Sequence, residues 1–244
     1  MPFMVILVLG LVWEAAVRYF AIPEFLLPAP SAIYVETINS NMDKHALATF
    51  TTVMLGFLVS VAISLPLAVL ITSSQSIANA IYPLLVLTQS IPKVALAPIL
   101  VVSLGAGETS RVTVTFLVAF FPLVISVAAG LMSVPQELLE LSRSLKATRL
   151  QELWRIRLPY AIPFVFSGLK LAITFAVVGA TVGEFVAADA GLGYQIISAT
   201  AFFRTSLAFG ALIILSFLGI ILFQAVVIIE RVFFPWSCRE EVVG

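Results

Sequence analysis

Charge is what this chain has least of. Lys, Arg, Asp and Glu make up 11% of its 244 residues, against about 25% in ordinary soluble domains. Hydrophobic residues make up 61%, with a mean hydropathy of +1.13. Such a chain cannot cover itself with polar surface, which excludes a free-standing soluble globule. Histidine and cysteine occur once each, as His45 and Cys238. A lone cysteine closes no intrachain disulfide, and a single His far from a single Cys argues against a His/Cys metal site. A Ser/His/acid triad would have to use His45, which has no nucleophile motif near it. No Gly-rich phosphate loop ending in Lys-Ser or Lys-Thr is present, so the chain is not itself an ATPase of that kind. Formal net charge is zero, and no basic stripe is interleaved with aromatics, so nucleic-acid binding has no support.

Long uncharged runs are what the sequence has instead. Residues 46–92, 112–136 and 205–229 contain no Asp, Glu, Lys or Arg. About 20 apolar residues cross a hydrocarbon core, and lipid restricts spanning structures to helices or closed barrels. The runs are continuous rather than alternating, which predicts helices. The expectation is an all-α membrane protein, one transmembrane domain over residues 1–244. About six spans are expected, near Phe3–Ile22, Ala48–Ile71, Ile77–Leu104, Arg111–Leu131, Pro159–Phe185 and Thr205–Glu230. No Lys or Arg precedes the first and no small-residue cleavage pattern follows it, so it reads as a retained span rather than a secretory signal.

The charge that exists is concentrated. Residues 135–159 carry eight of the chain's 26 Lys, Arg, Asp and Glu residues. Ser133-Val134-Pro135-Gln136 fits a helix-starting capping box, and Thr148-Arg149-Leu150-Gln151 fits a second. Leu138, Leu141 and Leu145 recur at helical spacing, as do Leu150, Leu153 and Trp154. The insert, about 133–158, therefore reads as two short amphipathic helices with a break near Ala147. On amphipathicity alone it is equally a pair of helices lying on lipid headgroups or a docking surface. Lys and Arg favour the cytoplasmic side. With six spans, the insert, Arg231, Arg239 and both termini fall on that side.

Polar residues inside the apolar runs mark further candidates. Pro83, Pro92 and Pro98 fall within one span, which should break around Gln89-Ser90-Ile91. Backbone that leaves the helix at membrane depth must face protein or a watery cavity. Lys93 lies in that stretch, where a charge is costly. It either lines a pathway or snorkels and pairs structurally. Glu184 ends the apolar run before Asp189 and Gly191-Leu192-Gly193, and Tyr194–Phe203 after it is short enough for an outer or re-entrant gate helix. Its two readings are a pathway carboxylate and a helix end wetted by solvent. Lys170 is placed to snorkel, and Glu14 with Arg18 reads as a structural pair four residues apart.

Within the insert, Glu140-Leu141-Ser142 is followed by Lys146 six residues after Glu140, then by Ile156-Arg157-Leu158-Pro159. This resembles the cytoplasmic loop of bacterial ABC-importer permeases, whose pattern is Glu-Ala-Ala, three residues, Gly, nine residues, Ile, one residue, Leu-Pro. The spacing matches throughout; Leu141-Ser142 replaces Ala-Ala, and Lys146 replaces Gly. Phe25-Leu26-Leu27-Pro28-Ala29-Pro30-Ser31, the stretch from Gln89 to Pro98, and Gly183-Glu184-Phe185 with Gly191-Leu192-Gly193-Tyr194 resemble the nitrate/sulfonate/taurine branch.

The resemblance implies a type I ABC importer permease fold in a bacterial inner membrane. It implies two permease copies, normally a homodimer, cytoplasmic ATPase subunits that hold the ATP and Mg, and an extracytoplasmic solute-binding protein; this chain would bind no cofactor. ATPase coupling would fall to Glu137, Glu140, Leu141, Ser142, Leu145, Lys146, Ile156, Leu158 and Pro159. The translocation pathway or gate would involve Gln89, Ser90, Pro92, Lys93 and Glu184. Lys93 favours a small anion such as nitrate, a sulfonate, taurine or bicarbonate. An aromatic acid or a thiamin-pyrimidine precursor is the alternative solute, and a channel or facilitator without an ATPase is the alternative function.

Overall fold

Residues 2–237 are described by a computed structural model in which every regular element is a helix. In chain order these are α1 (Pro2–Tyr19), α2 (Pro30–Ile38), α3 (Met42–Thr72), α4 (Gln75–Leu87), α5 (Ala97–Leu104), α6 (Glu108–Met132), α7 (Gln136–Ser144), α8 (Arg149–Glu152), α9 (Leu158–Ala187), α10 (Leu192–Ala201) and α11 (Thr205–Phe233). Among the described residues, α3, α6, the continuous helix Arg149–Ala187 and α11 are long and apolar enough to cross a membrane. The pair Ser76–Ser90 and Lys93–Leu104, bent by 76°, passes the same test only when taken together, as one broken span or as a re-entrant loop. Among the described residues that makes four spans, or five with the bent pair, where six were expected; α1, which corresponds to the first expected span, ends at Tyr19 and is not among them. Arg231 lies inside α11 rather than in a tail, and Cys238 and Arg239 lie outside the described residues.

Three helices make most of the core, and α11 adds Leu222 and Val226. α6 lies between α3 and α9, and Leu123, Val124, Val127 and Ala128 of α6 belong to one buried cluster with Val53 of α3 and Ile173 and Ala176 of α9. Lipid tails are as apolar as leucine, so membrane helices gain most where small residues let backbones touch and polar groups bond across. Both devices occur here. An added Cβ at Gly179 would lie 2.9 Å from Thr115 Cα, and one at Gly183 would lie 3.1 Å from Arg111 Cα, so α9 rides directly on the α6 backbone. From α3, the Ser60 and Ser64 hydroxyls donate to the Phe116 and Phe120 carbonyls at 3.2 and 3.3 Å.

The bundle has two ends. At one, α3, α6 and α11 finish and α9 begins beside the charged insert. At the other, α9 finishes, α3, α6 and α11 begin, and α10 and α2 pack. Glu14 of α1 pairs with Arg18 at 2.6 Å and accepts the Ser31 amide at 3.0 Å and its hydroxyl at 2.8 Å. The pair is structural, as its spacing implied, and also holds the start of α2, where Pro30 opens the helix. α2 is fixed to α11 by the Arg204–Glu36 ion pair.

Gly179→Leu should force α6 and α9 apart and cost roughly 1–3 kcal/mol or more of overpacking. The expected outcome is a lower melting temperature and less monodisperse protein on size exclusion. Gly10→Leu, where nothing lies within 4 Å of an added Cβ, should behave like the parent.

Candidate functional site

The charged insert is two helices, and the break between them is a built turn. α7 ends on hydrogen bonds from the Lys146 amide to the Arg143 carbonyl at 2.9 Å and from the Ala147 amide to the Ser142 carbonyl at 3.0 Å. Lys146 sits at φ +57°, the left-handed position of this C-terminal motif. Glycine adopts that conformation freely and lysine does so at a cost. The lysine therefore occupies the conformation that glycine supplies in the resembling pattern. Thr148 then starts the next helix with a complete capping box: its hydroxyl accepts the Gln151 amide at 3.3 Å and its amide donates to Gln151 Oε1 at 2.9 Å.

Two expectations for this region are corrected. Ser133 does not cap α7; it ends α6, its hydroxyl donates to the Gly130 carbonyl at 2.9 Å, and Pro135 stands at the N-cap. The connection is too short for Ser133 to leave one helix before serving the next. The second helix is also not short. α8 runs through a π turn, Leu153–Arg157, straight into α9. Pro159 has no amide to offer the preceding turn, and the chain widens there instead of breaking.

Glu152 organises the insert. It is 8% exposed and accepts Arg157 Nε at 2.8 Å and Nη2 at 2.6 Å, with Arg143 of α7 at 3.7 Å. Arg157 Nη1 donates to the Thr72 carbonyl at the end of α3, 3.3 Å away. The π turn aligns residues five apart, which puts Arg157 over Glu152. Sequence reasoning passed over Glu152; the signal was its spacing from Arg157 together with a proline shortly after. Outside this brace, α7 leaves Leu138, Leu141 and Leu145 exposed at 41%, 56% and 75%. Glu137 and Glu140 are exposed beside them, Ser142 is buried toward the bundle, Ile156 and Leu158 are half-buried, and Pro159 is exposed.

The third span breaks at Ile91-Pro92, between a short 3-10 turn at Thr88–Ser90 and another at Lys93–Leu96. Lys93 folds back across the break, donating to the Thr88 carbonyl at 3.0 Å, with its ammonium 4.8 Å from the centre of the Phe121 ring. It is half-buried, and Gln89, Ser90 and Pro92 are exposed. Glu184 is engaged separately, in a latch at the end of the bundle opposite the charged insert.

Glu184 is 1% exposed, so it is not the wetted helix end considered from sequence. Its Oε2 accepts Thr49 Oγ1 at 3.0 Å and the Gly193 amide at 2.8 Å, while Thr49 accepts the Leu192 amide at 2.8 Å. His45 Nδ1 accepts the Gly191 amide at 3.2 Å, and Arg111 donates to the Ala190 carbonyl at 3.2 Å. Gly191 turns at φ +130°, and any Cβ there would overlap the Glu184 carboxyl. Gly191-Leu192-Gly193 is thus the backbone that closes over the carboxylate and starts α10, the short helix expected after it. Lys170 does not snorkel: it pairs with buried Glu230 of α11 at 2.8 Å.

A family profile described as binding-protein-dependent transport system inner membrane component matches residues 64–235, from within α3 past the end of α11. The chain belongs to this family. It is 36% identical over 98% of its length to the formylaminopyrimidine transport permease protein of Halalkalibacterium halodurans, covering 96% of that protein. The riboflavin transport system permease protein of Chloroflexus aurantiacus is 34% identical, over 92% of this chain and 85% of that one. The taurine transport system permease protein of Escherichia coli is 26% identical, over 94% and 86%. The chain is accordingly the multi-pass permease component of an ABC importer family and not the enzyme that hydrolyses ATP.

Lys146→Gly should relieve about 1 kcal/mol of left-handed strain. The variant is expected to melt a few degrees higher with unchanged transport; a lower melting temperature would mean that the lysine side chain stabilises the turn by contacts of its own.

Proposed function

We propose that this chain forms half of the solute pathway of an ATP-driven importer in a bacterial inner membrane, as a homodimer served by an extracytoplasmic binding protein. The insert faces the cytoplasm, and with α1 taken as a sixth span both termini lie on that side. The placement of Arg143, Lys146, Arg149, Arg155, Arg157 and Arg231 at one end of the bundle supports this orientation. ATP and Mg belong to the ATPase partner. One observation carries the reading: the exposed leucine face of α7, held outside the spans by the Glu152 brace. Three leucines beside two carboxylates suit a groove on a protein partner, where buried apolar anchors carry most of the binding energy. A channel without an ATPase has no use for such a face.

ATP-driven closure of the partner would move α7, and the continuous helix from Arg149 to Ala187 would carry that displacement to Glu184 and α10. The broken span, with Gln89, Ser90, Pro92 and Lys93, lines the path, and Glu184 serves the gate by holding α10. This is rigid-body alternating access. For the solute, the higher identity to permeases named for formylaminopyrimidine and riboflavin than to the taurine permease supports a nitrogen heterocycle. A small anion is the second reading, favoured by Lys93 beside the break.

Truncating Leu141 and Leu145 to Ala should weaken ATPase association and abolish solute-stimulated ATP hydrolysis, and Glu140→Lys should act in the same direction. Insertion and yield should be unchanged, because no span is touched. Parent-like association and transport in these variants would overturn the docking assignment.

A further inference from the structure

Behind the docking face, the same insert encloses a cavity of about 990 Å³. Helical geometry separates the two. At 100° per residue, Gln136, Leu139 and Arg143 of α7 point to one side and Leu138, Leu141 and Leu145 to the other, and it is the first set that lines the cavity. A ligand there does not compete for the leucine face. The cavity lies where α3 ends at Thr72 and α6 ends at Met132, the level at which the spans leave the apolar layer.

Its lining is divided between the two chemistries of that level. Val69, Ala78 and Leu131 form an apolar part contributed by α3, α4 and α6, whereas Ser73, Ser74, Arg143 and Arg149 contribute polar groups. Three arginines line it, Arg143, Arg149 and Arg157, against one carboxylate, Glu152. Arg157 is fully committed to Glu152 and Thr72. Arg143 reaches Glu152 only at 3.7 Å, and Arg149 has no ion-pair partner among the described residues. Two guanidinium groups are therefore available to a phosphate, which they bind in bidentate fashion.

We propose that this cavity binds the headgroup of an anionic phospholipid, its phosphate between Arg143 and Arg149 and its acyl chain against Val69, Ala78 and Leu131. The shared chemistry is a phosphate ester; the apolar part beside the arginines selects a lipid over a soluble phosphate. A basic pocket between membrane helices at the headgroup level is a recurring means of lipid recognition. The bound lipid joins α7 to the turn between α3 and α4 and so stiffens the insert from the side opposite the partner. Only this last consequence rests on the proposed function.

The full chain, reconstituted with phosphatidylglycerol in phosphatidylcholine nanodiscs and released for native mass spectrometry, should retain one phosphatidylglycerol. Arg149→Gln should lower its occupancy about fivefold, the worth of one interfacial arginine, and Arg143→Gln with Arg149→Gln should lower it further. Arg149→Lys should keep part of it, and Arg231→Gln, at the same end but outside the cavity, should keep all of it. Equal retention by the double variant and Arg231→Gln would reduce the lipid to an unspecific annulus and overturn the site. Displacement by millimolar glycerol phosphate would overturn the lipid in favour of a soluble anion. ATPase association measured on the same samples separates the two readings: its loss in the parent would sink the proposed function and leave the lipid result standing.

Discussion

A buried carboxylate connects this protein's charged insert to its spans. Glu152 has two arginines on it, one from α7 and one at the start of α9, and the second of these also holds the last carbonyl of α3. Removing one partner of a buried pair typically costs about 3–5 kcal/mol, because the other is left uncompensated. The insert is therefore not a tethered loop. It is continuous with the spans, through the π turn into α9 and through Arg157 to α3. A force applied to the exposed leucines of α7 has no slack segment in which to dissipate.

The far end of the same helix carries the counterpart. Glu184, near the end of α9, is closed over by the Gly191–Gly193 backbone and tied to Thr49 of α3. One helix of 39 residues from Arg149 thus has a brace at its beginning and a latch near its end. Beside the latch it rides on the α6 backbone through Gly179 and Gly183. Close glycine contacts allow two helices to move as one body, which is what alternating access requires of elements that transmit a displacement. The broken third span packs on this frame through Ala97, which is buried with Val114 and Val118 of α6, and Lys93 bonds the Thr88 carbonyl across the break.

Much of this arrangement was legible before the fold. The uncharged runs gave the spans, because lipid admits little besides a continuous apolar helix. The prolines gave a break, expected around Gln89-Ser90-Ile91 and found at Ile91-Pro92; Pro92 stands at it, whereas Pro83 is carried inside α4 and Pro98 sits in the first turn of α5. Thr148 and Gln151 gave the second capping box because its geometry is local. The errors share one cause, which is that partners distant in sequence decide how polar side chains are satisfied. Ser133 matched a box but belonged to the preceding helix. Lys170 found Glu230 on another span, 60 positions away. Glu152 had an ordinary solvated look in the sequence and is buried in the fold with Arg157 and Arg143 as its partners.

Under the proposed function, the insert transmits force because Glu152 fixes it to α9 and α3. Glu152→Gln keeps the shape and removes the charge, and it leaves the leucine face of α7 unchanged. In the reconstituted complex, ATPase association and solute-stimulated ATP hydrolysis can be measured on the same preparation. Glu152→Gln is expected to retain association and to lose stimulation together with transport. Full stimulation and transport in that variant would contradict it, and would place the coupling in α7 alone.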